Sequence, residues 1–167
     1  ALTDKEVKDL KEYWKATWPE SKLYAEWMAR KCEKPDVQIE QLFVKRFRGD
    51  VSYTEGSNSL FQGLAADAAK NAGFLVAWAC YAQPKSPLYE GRPVDFIHDE
   101  EIVEVDDDER AHDAAMELAR LMCEGAKKFL PDVPPKVEPL LARRWSKKAK
   151  PVHDSSGRLI PWDWKKE

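Results

Sequence analysis

The stretch Asp95-Phe96-Ile97-His98-Asp99-Glu100-Glu101-Ile102-Val103-Glu104-Val105 decides how this chain is read. Its apolar arms, Val94 to Ile97 and Ile102 to Val105, read as two short strands around a polar turn. A hairpin tip of this kind holds its carboxylates in one place on a rigid scaffold. Neighbouring acids repel each other and lose hydration when partly buried, and a hard cation such as Mg²⁺ relieves both problems. A solvated hairpin turn with charged residues fits the same pattern, and periodicity does not choose between the two.

Outward from the turn, Asp106-Asp107-Asp108-Glu109 precedes a helical pattern carrying Ala111, Ala115, Leu118, Leu121, Met122 and Phe129. Acids at a helix start complement the helix dipole, which is the expected role of this run. Pro131, Pro134 and Pro135 end the helix. Lys136 to Leu141 is expected to form a further strand, and the tail from Arg143 on is basic, then aromatic. Before the hairpin, residues 83–93 hold three prolines and a glycine and read as a loop. Leu60 to Tyr81 is apolar and rich in small residues, with Asp67 and Lys70 its only charges, so a helix buried on most sides is expected.

At the other end, Thr3-Asp4-Lys5-Glu6 fits a capping box, and Val7, Leu10, Trp14 and Trp18 follow at helical spacing until Pro19. A second amphipathic stretch carries Leu23, Tyr24, Trp27, Met28 and Cys32, with Pro35 expected to end it. Val37 to Phe47 reads as extended, and Gly49-Asp50 as a turn. Strands and helices mix without βαβ alternation. The expected class is α+β, an antiparallel sheet with helices on one face.

The bulk numbers set limits. The chain has 167 residues, 43% hydrophobic and 34% charged, which fits a globular domain rather than a disordered one. A formal net charge of -3 argues against a free-standing nucleic-acid binder, but not against a part of a larger nucleic-acid enzyme. The longest apolar run, Ala72 to Ala82, is too short to span a bilayer, and no signal-peptide pattern opens the chain. Cys32, Cys80 and Cys123 show neither zinc spacing nor a disulfide framework, so a reducing cytoplasm is expected. The seven tryptophans are expected to serve core and interface packing. His112 and His153 are expected at the surface.

Phe96-Ile97-His98-Asp99-Glu100 followed by Ile102-Val103-Glu104-Val105 resembles motif C of family A DNA polymerases, the DNA polymerase I class. Upstream, Asn58-Ser59-Leu60-Phe61-Gln62-Gly63-Leu64-Ala65-Ala66-Asp67-Ala68-Ala69-Lys70 is similar to the family's Asn-x-x-x-Gln-Gly-x-Ala-Ala-Asp-x-x-Lys helix, in the family's order. Arg46-x-Arg48-Gly49 resembles the basic turn before that helix. Thr3 to Pro19 resembles the segment that follows the fingers helix. Leu130 to Pro139 and Arg143-Arg144-Trp145 resemble the closing palm strand and chain end, most like phage-encoded members. Thr54 stands where many members have an arginine.

The resemblance implies a partial palm domain over 1–167. Its parts are a helical lead-in (1–35), strand and turn (36–55), Asn/Gln helix (56–82), motif C hairpin (94–105), helix and closing strand (106–145) and basic, aromatic tail (146–167). It implies Asp99 as ligand in a two-metal Mg²⁺ site, Glu100 as auxiliary carboxylate and His98 at the primer terminus. Asn58 and Gln62 would lie along the minor groove, whose acceptors are nearly the same for every base pair. Arg46 and Arg48 would meet phosphates. The cluster Arg143, Arg144, Lys147, Lys148 and Lys150 either meets the DNA backbone or is a solvated basic tail.

Such polymerases also need an Asp from motif A and a Lys from motif B. No Arg-x-x-x-Lys-x-x-x-Phe-Gly pattern occurs. Asp36-Val37-Gln38-Ile39-Glu40 resembles the core of motif A but is one residue too short and out of order, and is read as strand. The expected partners are therefore primer–template DNA, dNTP and a missing polymerase portion carrying motifs A and B. No membrane is expected, and the compartment is the cytoplasm, a host's if phage-encoded. Alone, the chain is expected to be inactive. The competing reading is a relic or DNA-binding accessory protein, and a nuclease built on the acidic turn lacks a second carboxylate cluster.

Overall fold

A computed structural model describes residues 2–34 and 36–163. The described chain is mixed α+β, with four helices and three two-stranded antiparallel sheets. It divides into two compact units, Ala1–Leu64 and Ala65–Glu167. The expected single sheet with helices on one face is corrected to three separate hairpins. Each strand is short and pairs only with its neighbour in sequence, so no larger sheet assembles.

In the first unit, α1 (Asp4–Thr17) starts as the sequence expects. The Thr3 side chain accepts from the Glu6 N–H, and the Glu6 carboxylate accepts from the Thr3 N–H at 2.7 Å. Those bonds hold the Glu6 carboxyl below its usual range. α1 buries none of its residues, and Leu10, Tyr13 and Trp14 lie exposed along it. α2 (Glu20–Cys32) follows Pro19 and buries Met28 completely. It ends at Cys32, while Pro35 lies outside the described residues.

The run Val37 to Phe47 is not one strand. β1 (Gln38–Glu40) and β2 (Phe47–Gly49) pair antiparallel across a turn, with Lys45 at φ 56°. Ile39 from β1 joins Met28 and Val51 in a small core, with Tyr24, Cys32, Val37 and Leu60 around it.

α3 (Tyr53–Ala82) is longer than expected, because Ser52 and Glu55 form a second capping box. The Ser52 N–H donates to the Glu55 carboxylate at 2.9 Å, and the Glu55 N–H returns to the Ser52 hydroxyl. Sequence alone could have shown this, since Ser-x-x-Glu is the signature. Nor is α3 buried on most sides. In the second unit its residues Ala72, Val76, Ala79 and Cys80 are buried, but Phe74, Trp78 and Tyr81 are exposed.

The second unit centres on Val76, Ala79, Cys80, Leu88, Ala114 and Leu121. Burying a side chain such as Val76 or Leu88 contributes about 1.5–3 kcal/mol. α4 (Ala111–Lys127) supplies Ala114 and Leu121 and crosses α3 at Gly125. A Cβ on Gly125 would lie 2.5 Å from the Ala72 Cα, so glycine is required for the helices to approach this closely.

The acidic run directly precedes α4, whose N-cap is Arg110, and Asp108 accepts from the Arg110 N–H at 2.8 Å. Asp106 and Asp108 pair with Arg110, and Asp107 pairs with Arg143. Hydrogen bonds from Arg110 hold the Asp108 carboxyl below its usual range.

Residues 136–141 form no strand. Pro134, Pro135 and Pro139 lack ladder donors, and among the described residues the pairing nearby is an isolated bridge from Ala142 to Trp162. The tail instead folds back as β5 (Val152–His153) and β6 (Leu159–Ile160). The Leu159 N–H donates to His112 Nδ1 at 2.8 Å, and Arg158 reaches the Glu109 carbonyl and the Asp113 carboxylate. His112 is thus a half-buried acceptor rather than a surface residue, while His153 is exposed. Of the six described tryptophans only Trp162 is buried, and the other five are exposed. The last four residues, with Trp164, lie outside the described part.

Candidate functional site

The hairpin stands where the sequence places it. β3 (Arg92–Ile97) and β4 (Glu100–Glu104) pair in antiparallel register, with Ile97 opposite Glu100. His98 and Asp99 therefore form a two-residue loop. His98 has φ 59° and Asp99 has no positive φ, the pattern of a turn that favours glycine at its first position. A histidine there stores backbone strain, a feature that gathers at functional sites, although His tolerates this region better than most residues.

At the other end of β3, the register shifts between Pro93 and Asp95. Pro93 has no N–H to give, so Val94 is left as the extra residue of a bulge. The local twist that a bulge adds is a common way of aiming a neighbouring site.

The structure brings His98, Asp99 and Glu100 together on this exposed tip. The acidic side chains of β4 differ in surroundings. Glu101 is half-buried over α3, near Gly73, and burial pushes its carboxyl up. The Cys80 thiol is pushed up by its own burial, with Glu101 adding to the effect. Glu100 faces outward and accepts a hydrogen bond from the Trp145 indole N–H at 3.3 Å. Trp145 as a partner of Glu100 has no signal in sequence, since 45 residues separate them.

Asp99 and Glu100 are adjacent hard-oxygen donors, the chemistry that suits Mg²⁺. Among the described residues no three His, Cys, Asp or Glu side chains gather as a metal-holding group. Asp99 and Glu100 alone amount to two adjacent carboxylates on the tip.

The other sequence-derived site residues lie in the first unit. Asn58 and Gln62 are both exposed, one helical turn apart on α3. Asn58 is not a helix cap, because α3 begins at Tyr53. Arg48 reaches the Ser59 hydroxyl at 3.2 Å and lies 3.9 Å from the Glu55 carboxylate. The Ser52 bonds, with Arg48 adding to them, hold the Glu55 carboxyl below its usual range. Arg46 is exposed, as is Thr54. The buried Gln41 side chain donates to the Ser59 carbonyl at 2.8 Å and packs against Gly63, where a Cβ would collide with the Gln41 amide. Gly63 thus lets the β1–β2 hairpin seat itself on the helix that carries Asn58 and Gln62.

Two features define the chain: a mixed α+β fold, and a hairpin that displays two neighbouring carboxylates beside a strained histidine. No family model, curated protein or solved structure matches it. No helix among the described residues is long and apolar enough to cross a membrane.

Proposed function

We propose that this chain is a C-terminal palm portion of a family A-like, template-directed DNA polymerase and supplies its motif C carboxylates. The observation that carries the reading is the two-residue loop presenting His98, Asp99 and Glu100 on a paired, bulged hairpin. A hairpin fixes the direction of its tip residues, and positioning is most of what nucleotidyl transfer asks of a protein.

In this reading Asp99 ligates Mg²⁺ and Glu100 is the auxiliary carboxylate. His98 contacts the primer terminus. Asn58 and Gln62 donate to minor-groove acceptors, and Arg46 and Arg48 meet phosphates. Bound Mg²⁺ in such sites supplies Lewis acidity to the attacking hydroxyl and neutralises charge on the triphosphate. The remaining carboxylate and the nucleotide-binding lysine come from the polymerase portion that carries motifs A and B, in the same polypeptide or in another. Consistent with a partner, α1 exposes Leu10, Tyr13 and Trp14, and α3 exposes Phe74, Trp78 and Tyr81. Large apolar side chains left in water favour association with a further surface.

The test is primer extension with Mg²⁺, using the chain alone and mixed with a polymerase fragment carrying motifs A and B. Activity only in the mixture, abolished by Asp99→Ala, is the expected result. A stable monomer that extends primers by itself sinks the partner requirement. No extension in the mixture, with the fragment shown to bind, makes the chain a non-catalytic relic or accessory protein.

A further inference from the structure

The segment from Arg143 to Lys150 holds five cations and no acid. It is pinned on both sides. Upstream, Arg143 donates to Asp107 at 3.0 Å, and the Trp145 indole N–H donates to Glu100, which adjoins the tip of the β3–β4 hairpin. Downstream, the β5–β6 hairpin is fastened to α4 by the Leu159–His112 bond and by Arg158 on Asp113. The Trp162 N–H also donates to the Leu141 carbonyl at 2.7 Å.

Between these anchors the backbone makes a local turn. The Ala149 N–H donates to the Ser146 carbonyl at 3.0 Å, and the Lys148 N–H to the Ser146 hydroxyl at 3.2 Å. Lys147, Lys148 and Lys150 are exposed on this turn, and among the described residues their ammonium groups have no ion-pair or hydrogen-bond partner. The anchors hold these like charges near one another, and an anionic partner relieves their mutual repulsion.

We infer that this strap is a phosphate clamp: Lys147, Lys148 and Lys150 grip the backbone of the primer–template duplex, and Trp145 seats the clamp beside the carboxylate hairpin. The inference rests on the polymerase reading, which puts the duplex end at that hairpin. Arg143, neutralised by Asp107, is an anchor rather than a contact.

Each phosphate neutralised on duplex DNA contributes about -0.9 to the slope of log affinity against log salt. Three lysines therefore contribute about -2.7. Across a fourfold salt range, from 50 to 200 mM, that is about a forty-fold change in affinity.

The experiment is fluorescence anisotropy of a labelled primer–template duplex with the full chain, in a salt series. Wild type is compared with Lys147→Gln/Lys148→Gln/Lys150→Gln and with Lys85→Gln, an exposed lysine on another loop, and melting temperatures confirm folding. The expected result is that the triple variant's affinity falls about forty-fold less than wild type's across that salt range, while Lys85→Gln keeps the wild-type slope. A triple variant that keeps the wild-type slope overturns the clamp. A wild-type chain that binds no duplex also overturns it, whatever extension by the mixture says of the polymerase reading.

Discussion

Replacing Gly125 by alanine tests the helix crossing that supports the candidate hairpin. In an unobstructed helix this change would stabilise the protein by about 1 kcal/mol, because glycine is a poor helix former. Here the new Cβ would lie 2.5 Å from the Ala72 Cα and 2.6 Å from its nitrogen. Carbon atoms pack favourably at roughly 3.5–4.0 Å, so α3 and α4 must part by about 1 Å. Both atoms are backbone and no side chain can swing away. Overpacking of this kind costs about 1–3 kcal/mol. The same shift strains the bond from the Asn71 amide to the Gly125 carbonyl, now 2.9 Å. Such a bond contributes about 1 kcal/mol. The net expectation is a loss of about 1–3 kcal/mol once the propensity gain is subtracted. Gly73→Ala is the matched control, because its Cβ would meet only the mobile end of Glu101, at 3.4 Å. That variant should be neutral or stabilised by up to about 1 kcal/mol. Urea denaturation followed by far-UV circular dichroism, with m values compared, measures both. Equal or greater stability for Gly125→Ala would refute the close crossing.

Two further predictions follow from the exposed and half-buried groups. Glu101→Gln should raise the melting temperature at pH 7. Burial raises the folded-state pKa of Glu101, so its stabilising contribution is fullest below the unfolded value and is lost as pH rises through the folded one. The gap between variant and wild type should therefore shrink towards pH 4, and a gap independent of pH would remove Glu101 from the explanation. Trp14→Ser, on the helix that buries nothing, should leave the melting temperature of the isolated chain within about 2 °C, since surface changes are usually within about 0.5 kcal/mol. It should nevertheless weaken binding to the motif A and B fragment in a pull-down titration, and unchanged binding would take α1 out of the partner surface.

Some of this was fixed by local chemistry and so was legible in the sequence. The Thr3–Glu6 capping box, the break at Pro19 and the hairpin around His98-Asp99 each depend on residues a few positions apart. The second capping box at Ser52–Glu55 was equally legible, and it sets the true start of α3. The adjacency of Asp99 and Glu100 was likewise certain, because two residues beside a tight turn cannot separate.

Only the tertiary structure decided the rest. Periodicity shows that α3 is apolar on many sides, but which side finds cover depends on partners distant in sequence, so Phe74, Trp78 and Tyr81 remain exposed. The extended run after Val37 becomes a hairpin because Gln41 anchors on α3 and Gly63 leaves room for it. The prolines of 134–139 removed the donors that a closing strand needs, and the tail then folded back, fastened by His112. Trp145 meets Glu100, and Arg143 meets Asp107, through folding alone. Local rules of spacing extend over a few residues, and contacts between distant residues depend on the packing of the whole unit.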